Sequence, residues 1–90
     1  MSEDGENVDI GSAIRLLRQR ANLTQRALAE QSELSRSALS RIENGHVEPT
    51  WGSLRRIARG LNVPLEDLIR EAERAGLTGR ESGGGAGKYG

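Results

Sequence analysis

Four polar side chains that share one short predicted helix have the clearest chemistry in this chain: Arg36, Ser37, Ser40 and Arg41. The apolar residues of the same segment, Leu39 and Ile42, lie three positions apart and therefore share the opposite, inward face. A guanidinium presents two parallel donors that match O6 and N7 of guanine, and hydroxyls bond to bases or phosphates. A helix with this pattern of faces fits the major groove of duplex DNA.

This helix is predicted to be the second of two that are joined by a tight turn. Thr24 is a candidate N-cap for a helix over 25–31, because its hydroxyl accepts a bond from an otherwise unsatisfied backbone N–H. Ser35 is the corresponding cap for the helix over 36–43. Gly45 ends that helix, since glycine readily takes the left-handed conformation. The spacing predicts a helix-turn-helix unit.

Three further segments have apolar residues at helical spacing, and they predict helices over 10–20, over 51–60, and from Pro64 to Gly76. Asp9 and Thr50 are candidate N-caps, and Pro64 fits the first helical position. Trp51 is expected to pack at the start of the fourth helix. The fold class predicted is all-α, a compact domain of five helices.

The chain is expected to divide into three parts: an acidic, flexible N-terminus over 1–9, one domain over 10–77, and a flexible Gly-rich tail over 78–90. The sequence has no cysteine, which excludes disulfides and thiolate metal sites. A single histidine, His46, cannot form a metal site alone. No apolar run approaches the length of about 20 residues that a membrane span needs, and no signal peptide is recognisable. We expect a cytoplasmic protein without metal, cofactor or membrane association.

The formal net charge is zero, but the charges are unevenly distributed. Residues 1–9 carry four acidic side chains and no basic one. Residues 10–62 carry nine arginines against four glutamates, which gives +5 around the predicted helix-turn-helix. The local clustering of positive charge is more informative than the net charge of the whole chain, and it indicates a nucleic-acid partner.

A series of short motifs occurs in a fixed order between Ile10 and Ile69. These motifs are Ile14-Arg15, Leu17-Arg18, Leu23-Thr24-Gln25, Leu28-Ala29, Leu34-Ser35, Ile42-Glu43-Asn44-Gly45, Pro49-Thr50, Ile57-Ala58 and Val63-Pro64-Leu65. Their order and spacing resemble the lambda-repressor-like family of helix-turn-helix proteins, the Cro/cI or XRE type. The small size is similar to that of restriction–modification controller proteins and small repressors.

The resemblance implies roles for individual residues. Arg36, Ser37 and Arg41 match positions that face base edges, with Ser40 between them against the backbone or a thymine methyl. Two departures affect the turns, because Asn22 and Glu33 stand where the family commonly has glycine. A left-handed residue with a Cβ costs about 1 kcal/mol, so Glu33 is expected to be strained and exposed to solvent.

Phosphate contacts and one structural ion pair are also implied by the resemblance. Gln25, at the start of the second helix, and Asn44, just after the third, match positions that contact phosphate. Arg18 and Glu43 match a pair that forms a buried salt bridge between the first and third helices.

One such domain makes few base contacts, so a two-fold dimer on a palindromic operator is expected, with half-sites about 34 Å apart. The candidate dimer surface is the fifth helix, with Val63, Leu65, Leu68 and Leu77. This interpretation makes the chain a duplex DNA-binding transcriptional regulator, from a bacterium or a phage.

An alternative function stays open at this point. In it, the chain is a protein-interaction module, such as an antitoxin, whose main partner is another protein and which keeps DNA binding for autoregulation. Arg55, Arg56 and Arg59 are best interpreted as ordinary solvent-facing side chains, whereas for Arg15 intrahelical pairing and proximity to phosphate are equally plausible. An enzyme is not predicted, because the serines of the motif have no histidine within it to activate them.

Overall fold

The structure is a computed structural model that describes the backbone of residues 8–86 and the side chains of residues 8–76. Its elements are α1 (Ile10–Arg20), α2 (Gln25–Gln31), α3 (Arg36–Glu43), α4 (Trp51–Leu61) and α5 (Leu65–Ala86). The described residues contain no strand, and the predicted all-α fold of five helices is confirmed. The bounds of α1, α2 and α3 agree with those predicted.

Four helices begin at the polar side chains that the sequence indicated as caps. Asp9 accepts a bond from the backbone N–H of Ser12 at 3.1 Å. The hydroxyls of Thr24, Ser35 and Thr50 each accept the N–H three positions later at 3.0 Å. Each of these bonds satisfies one of the donors that a helix leaves free at its start, which fixes where α1 to α4 begin.

Four turn residues in the described part of the chain have a left-handed backbone conformation, and three of them are not glycine. Asn22, Glu33 and Asn62 have φ values of 60°, 59° and 63°, and Gly45 has φ 77°. Glu33 is exposed, as expected for a residue whose side chain has no part in the turn. The turn between α2 and α3 therefore forms without the glycine that would relieve its strain.

The fifth helix continues beyond Gly76, where we expected it to end, and reaches Ala86. Glycine costs about 1 kcal/mol in a helix interior but keeps its backbone donor, so it weakens a helix without breaking it as proline does. The predicted boundaries at residues 9/10 and 77/78 stay predictions. Residues 1–7 and 87–90 and the side chain of Leu77 lie outside the described part of the chain.

The core is small and aliphatic, as the composition indicated. Its buried members are Ala13, Ile14, Leu28, Ala29, Leu39, Ile42, Leu54, Ile57, Ala58, Leu61, Leu68 and Ala72. Each fully buried Leu or Ile side chain contributes about 1.5–3 kcal/mol. α1 packs against α5 and α3, and α2 packs against α3 and α4, so α3 is supported from two sides.

A glycine brings α1 directly against the end of α3. A Cβ placed on Gly11 would lie 2.5 Å from the carbonyl oxygen of Ile42 and 2.7 Å from that of Glu43. Only a residue without a side chain permits this approach. The close contact brings the polar side chains of α1 within reach of Glu43 and Asn44.

Two expectations about apolar side chains are wrong. Leu68, which we placed on a dimer surface, is fully buried in the core. Trp51, which we expected to pack at the start of α4, is 62% exposed. Amphipathic spacing shows that such residues share a face, but the rotation of the helix against its neighbours decides which of them are covered.

Candidate nucleic-acid interface

The third helix turns its predicted base-contacting side chains outward. Arg36, Ser37 and Arg41 are exposed and Ser40 is half-buried. On the other side of α3, Leu39 and Ile42 are 0% and 4% exposed. Within residues 8–76, neither Arg36 nor Arg41 takes part in an ion pair. The core therefore holds the helix while both guanidiniums face solvent.

Beneath this face, Glu43 accepts hydrogen bonds from two other helices. Its carboxylate is fully buried, and it accepts from Nε of Arg18 at 2.8 Å and from the second guanidinium nitrogen of Arg18 at 3.1 Å. Arg18 also donates to the carbonyl oxygen of Leu23 at 2.9 Å. The structure thus contains the ion pair that the resemblance implied between Arg18 and Glu43.

Gln25 completes the set of donors around this carboxylate. Its side-chain Nε2 donates to Oε1 of Glu43 at 3.0 Å, so α1, α2 and α3 meet at one buried group. The sequence did not indicate this bond, although an ionised carboxylate has about four acceptor positions and Arg18 occupies only two. The second N–H of the Gln25 amide remains for the predicted phosphate contact, which stays a prediction.

The other predicted phosphate-contacting residue, Asn44, is held by Arg15. One terminal nitrogen of the Arg15 guanidinium donates to Oδ1 of Asn44 at 2.7 Å and to the carbonyl oxygen of Glu43 at 3.4 Å. The partners of Arg15 are therefore the last residue of α3 and the residue that follows it, and the intrahelical pairing that the sequence left open is not observed among the described residues. Because Oδ1 of Asn44 is occupied and its Nδ2 makes only a 3.4 Å bond to Ser40, the amide offers a donor to solvent.

The described residues contain no cluster of His, Asp and Glu side chains that would hold a metal ion. In the same part of the chain, no helix combines the length and apolar character that crossing a bilayer requires.

The arrangement of α2, the left-handed turn and α3 is that of a helix-turn-helix unit, and a family model described as a helix-turn-helix domain matches residues 9–72. This chain belongs to the helix-turn-helix domain family. The matched residues include every side chain of the site described above, from Arg15 to Asn44.

Named relatives agree with this assignment. The competence pilus inhibition repressor of Acinetobacter baylyi is 36% identical over 66 residues, which cover 73% of this chain and 60% of the relative. The immunity repressor protein of Bacillus phage phi105 is 34% identical over 62 residues, which cover 69% of this chain and 43% of the relative. The chain thus spans about half the length of these curated relatives. They are named as repressors, in agreement with the prediction that this chain is not an enzyme.

Solved structures agree over most of their own length. The clp gene regulator ClgR from Corynebacterium glutamicum superposes with a TM-score of 0.72 at 30% identity, covering 77% of this chain and 90% of that one. The restriction–modification controller protein C.AhdI from Aeromonas hydrophila gives a TM-score of 0.67 at 28% identity, covering 71% and 97%. The predicted resemblance to helix-turn-helix regulators and small controller proteins is confirmed.

Proposed function

We propose that this chain is a transcriptional regulator that binds duplex DNA sequence-specifically by inserting α3 into the major groove. The proposal rests on one observation, which is that α3 has a buried apolar side and an exposed side with two arginines. Leu39 and Ile42 anchor the helix in the core. Arg36, Ser37 and Arg41 project from it to solvent. Neither arginine has an ion-pair partner among residues 8–76. Arginine is suited to bidentate recognition of guanine, and an arginine without an ion-pair partner can contact DNA without first breaking an internal ion pair.

The internal bonds of the two predicted phosphate-contacting residues support the same docking. The side-chain amide of Gln25 is fixed because it donates a hydrogen bond to Glu43. The side-chain amide of Asn44 is fixed because its oxygen accepts a hydrogen bond from Arg15. A fixed amide loses less conformational entropy when it contacts phosphate. Such contacts set the position of the protein on the duplex, and base contacts then supply the specificity.

A homodimer on an inverted repeat is part of this proposal. One short recognition helix reads few bases, and two copies related by a two-fold axis double the contacts, with half-site centres about 34 Å apart. A regulator of this kind acts where the DNA of a bacterial cell or its phage is found, in the cytoplasm.

The test is selection of bound sequences from a random duplex library, followed by anisotropy titration of the selected duplex across a salt series. We expect an inverted repeat, and a logarithm of the affinity that falls by about 0.9 per phosphate contact for each tenfold increase in salt. Failure to enrich any sequence would contradict sequence-specific binding. A pull-down for a protein partner would then test the antitoxin-like alternative.

A further inference from the structure

The first residues of the chain join the domain beside the predicted DNA-binding face. The backbone N–H of Asp9 donates to the carbonyl oxygen of Ala72 at 3.0 Å, which fixes the position of this residue against α5. Two residues later, a Cβ placed on Gly11 would lie 2.7 Å from the carbonyl oxygen of Glu43. Residues 1–8 therefore precede a point that is close to the C-terminal end of α3.

The first nine residues, which we call the acidic segment, carry four carboxylates and no basic side chain. The carboxylate of Asp9 is committed to the start of α1, because it accepts from the backbone N–H of Ser12 at 3.1 Å and from its hydroxyl at 2.8 Å. The other three carboxylates belong to Glu3, Asp4 and Glu6. The capping of α1 therefore leaves most of the negative charge of the segment for other contacts.

The acidic segment is long enough to cover α3. An extended chain spans about 3.5 Å per residue, so Glu6 reaches about 10 Å from Asp9 and Glu3 reaches about 20 Å. The third helix has eight residues, and a helix of that length extends about 12 Å. Carboxylates at these distances can reach Arg41 near the end of α3 and Arg36 at its start.

Charge distinguishes the two surfaces that lie beside the acidic segment. On the side of α5, the carboxylate of Glu71 already pairs with its basic neighbours, since it lies 3.2 Å from Arg74 and 3.6 Å from Arg20. On the side of α3, Arg36 and Arg41 are exposed and have no ion-pair partner among residues 8–76. Of the two surfaces, the outer face of α3 therefore complements the acidic segment better.

We propose that the acidic segment docks on the outer face of α3 in the free protein and competes with DNA for Arg36 and Arg41. Each exposed ion pair is weak, but the tether gives the segment a high local concentration at this face. DNA binds after the segment leaves, so the affinity for every duplex falls by the same factor, which is set by the fraction of protein whose face is covered. The inference rests on the proposed function and adds a regulatory step to it.

A spin label on the acidic segment tests the docking without DNA. The sequence has no cysteine, so Ser2→Cys provides a single attachment point for a nitroxide. In nuclear magnetic resonance spectra of the full chain, we expect the label to broaden the backbone amide signals of α3 more than those of α4. The broadening should decrease when Asp4→Asn and Glu6→Gln are added, and also in about 1 M salt, where the screening length is about 3 Å.

DNA binding provides a second readout, with a control variant that removes the same charge. Asp4→Asn/Glu6→Gln and Glu66→Gln/Glu73→Gln each remove two negative charges, and Glu66 and Glu73 are exposed on α5. On a duplex with one half-site, we expect the first variant to bind about threefold to tenfold more tightly than the wild type at low salt. The same gain is expected on a random duplex. The control variant should stay close to the wild type, and the gain should disappear at high salt.

Two results would overturn the inference. The first is a label that does not broaden α3, or that broadens it equally with and without the substitutions and salt, since the tether alone would then explain the proximity. The second is equal DNA affinity for the two variants. The ratio of half-site affinity to random affinity tests the proposed function separately. A ratio near one removes sequence-specific binding, whereas a high ratio with equal affinities for wild type and variants removes only the docking of the acidic segment.

Discussion

Replacing Glu43 by alanine is expected to lower the free energy of unfolding by about 3–5 kcal/mol. The substitution removes a fully buried carboxylate that accepts bonds from Arg18 and Gln25. Arg18 is only 14% exposed, so its guanidinium would remain largely buried without a counter-charge. Small domains have a total stability of about 5–15 kcal/mol, so this one side chain accounts for a large share.

Urea denaturation followed by circular dichroism measures this effect. Glu30→Ala removes an exposed glutamate from α2 and should stay within about 0.5 kcal/mol of the wild type. In a double-mutant cycle, Arg18→Met combined with Glu43→Ala should cost less than the sum of the two single changes, because neither charge is then left alone. Additive losses would contradict the proposed coupling of α1 and α3 through this ion pair.

Replacing Arg36 and Arg41 together by alanine is the second large effect we expect. Each guanidinium that makes a bidentate bond to guanine contributes about 1–3 kcal/mol of discrimination, so the double variant should lose about 2–6 kcal/mol on the selected duplex. The loss on a random duplex should be much smaller. Folding should be unaffected, because both side chains are exposed.

Anisotropy titrations of both duplexes at one salt concentration make this comparison. Arg26→Ala provides the control, since it removes the same charge from an exposed position on α2. It should weaken binding to the selected and random duplexes to the same extent, if at all. A double variant that loses equal affinity on both duplexes would indicate that α3 meets only phosphates.

Local signals in the sequence predicted the helix-turn-helix correctly. Thr24 and Ser35 mark the starts of α2 and α3, because a capping hydroxyl needs only a backbone donor three residues away. Asn22 and Glu33 were expected in left-handed turns, and both are there. The capping positions do not depend on how the helices pack, so spacing and residue type were sufficient for them, whereas the left-handed position of Glu33 was indicated by the resemblance to the family.

Features that depend on packing were predicted less well. Leu65, Leu68 and Ile69 share one apolar stripe in sequence, yet only Leu68 is buried, because the orientation of α5 against its neighbours decides which side chains are covered. The bonds of Gln25 to Glu43 and of Arg15 to Asn44 likewise require the approach of α1 and α2 to α3. These residues could be identified from the sequence, but their partners depend on how the helices approach one another.

The most direct test of base readout by α3 replaces each guanine of the selected half-site with deazaguanine, which lacks the N7 acceptor. Wild type, Arg36→Ala and Arg41→Ala are titrated against every substituted duplex. We predict that the wild type loses about 1–3 kcal/mol at particular guanines, and that each alanine variant is insensitive at the guanine that its missing arginine would read. Equal losses for all three proteins at every position would contradict base recognition by Arg36 and Arg41.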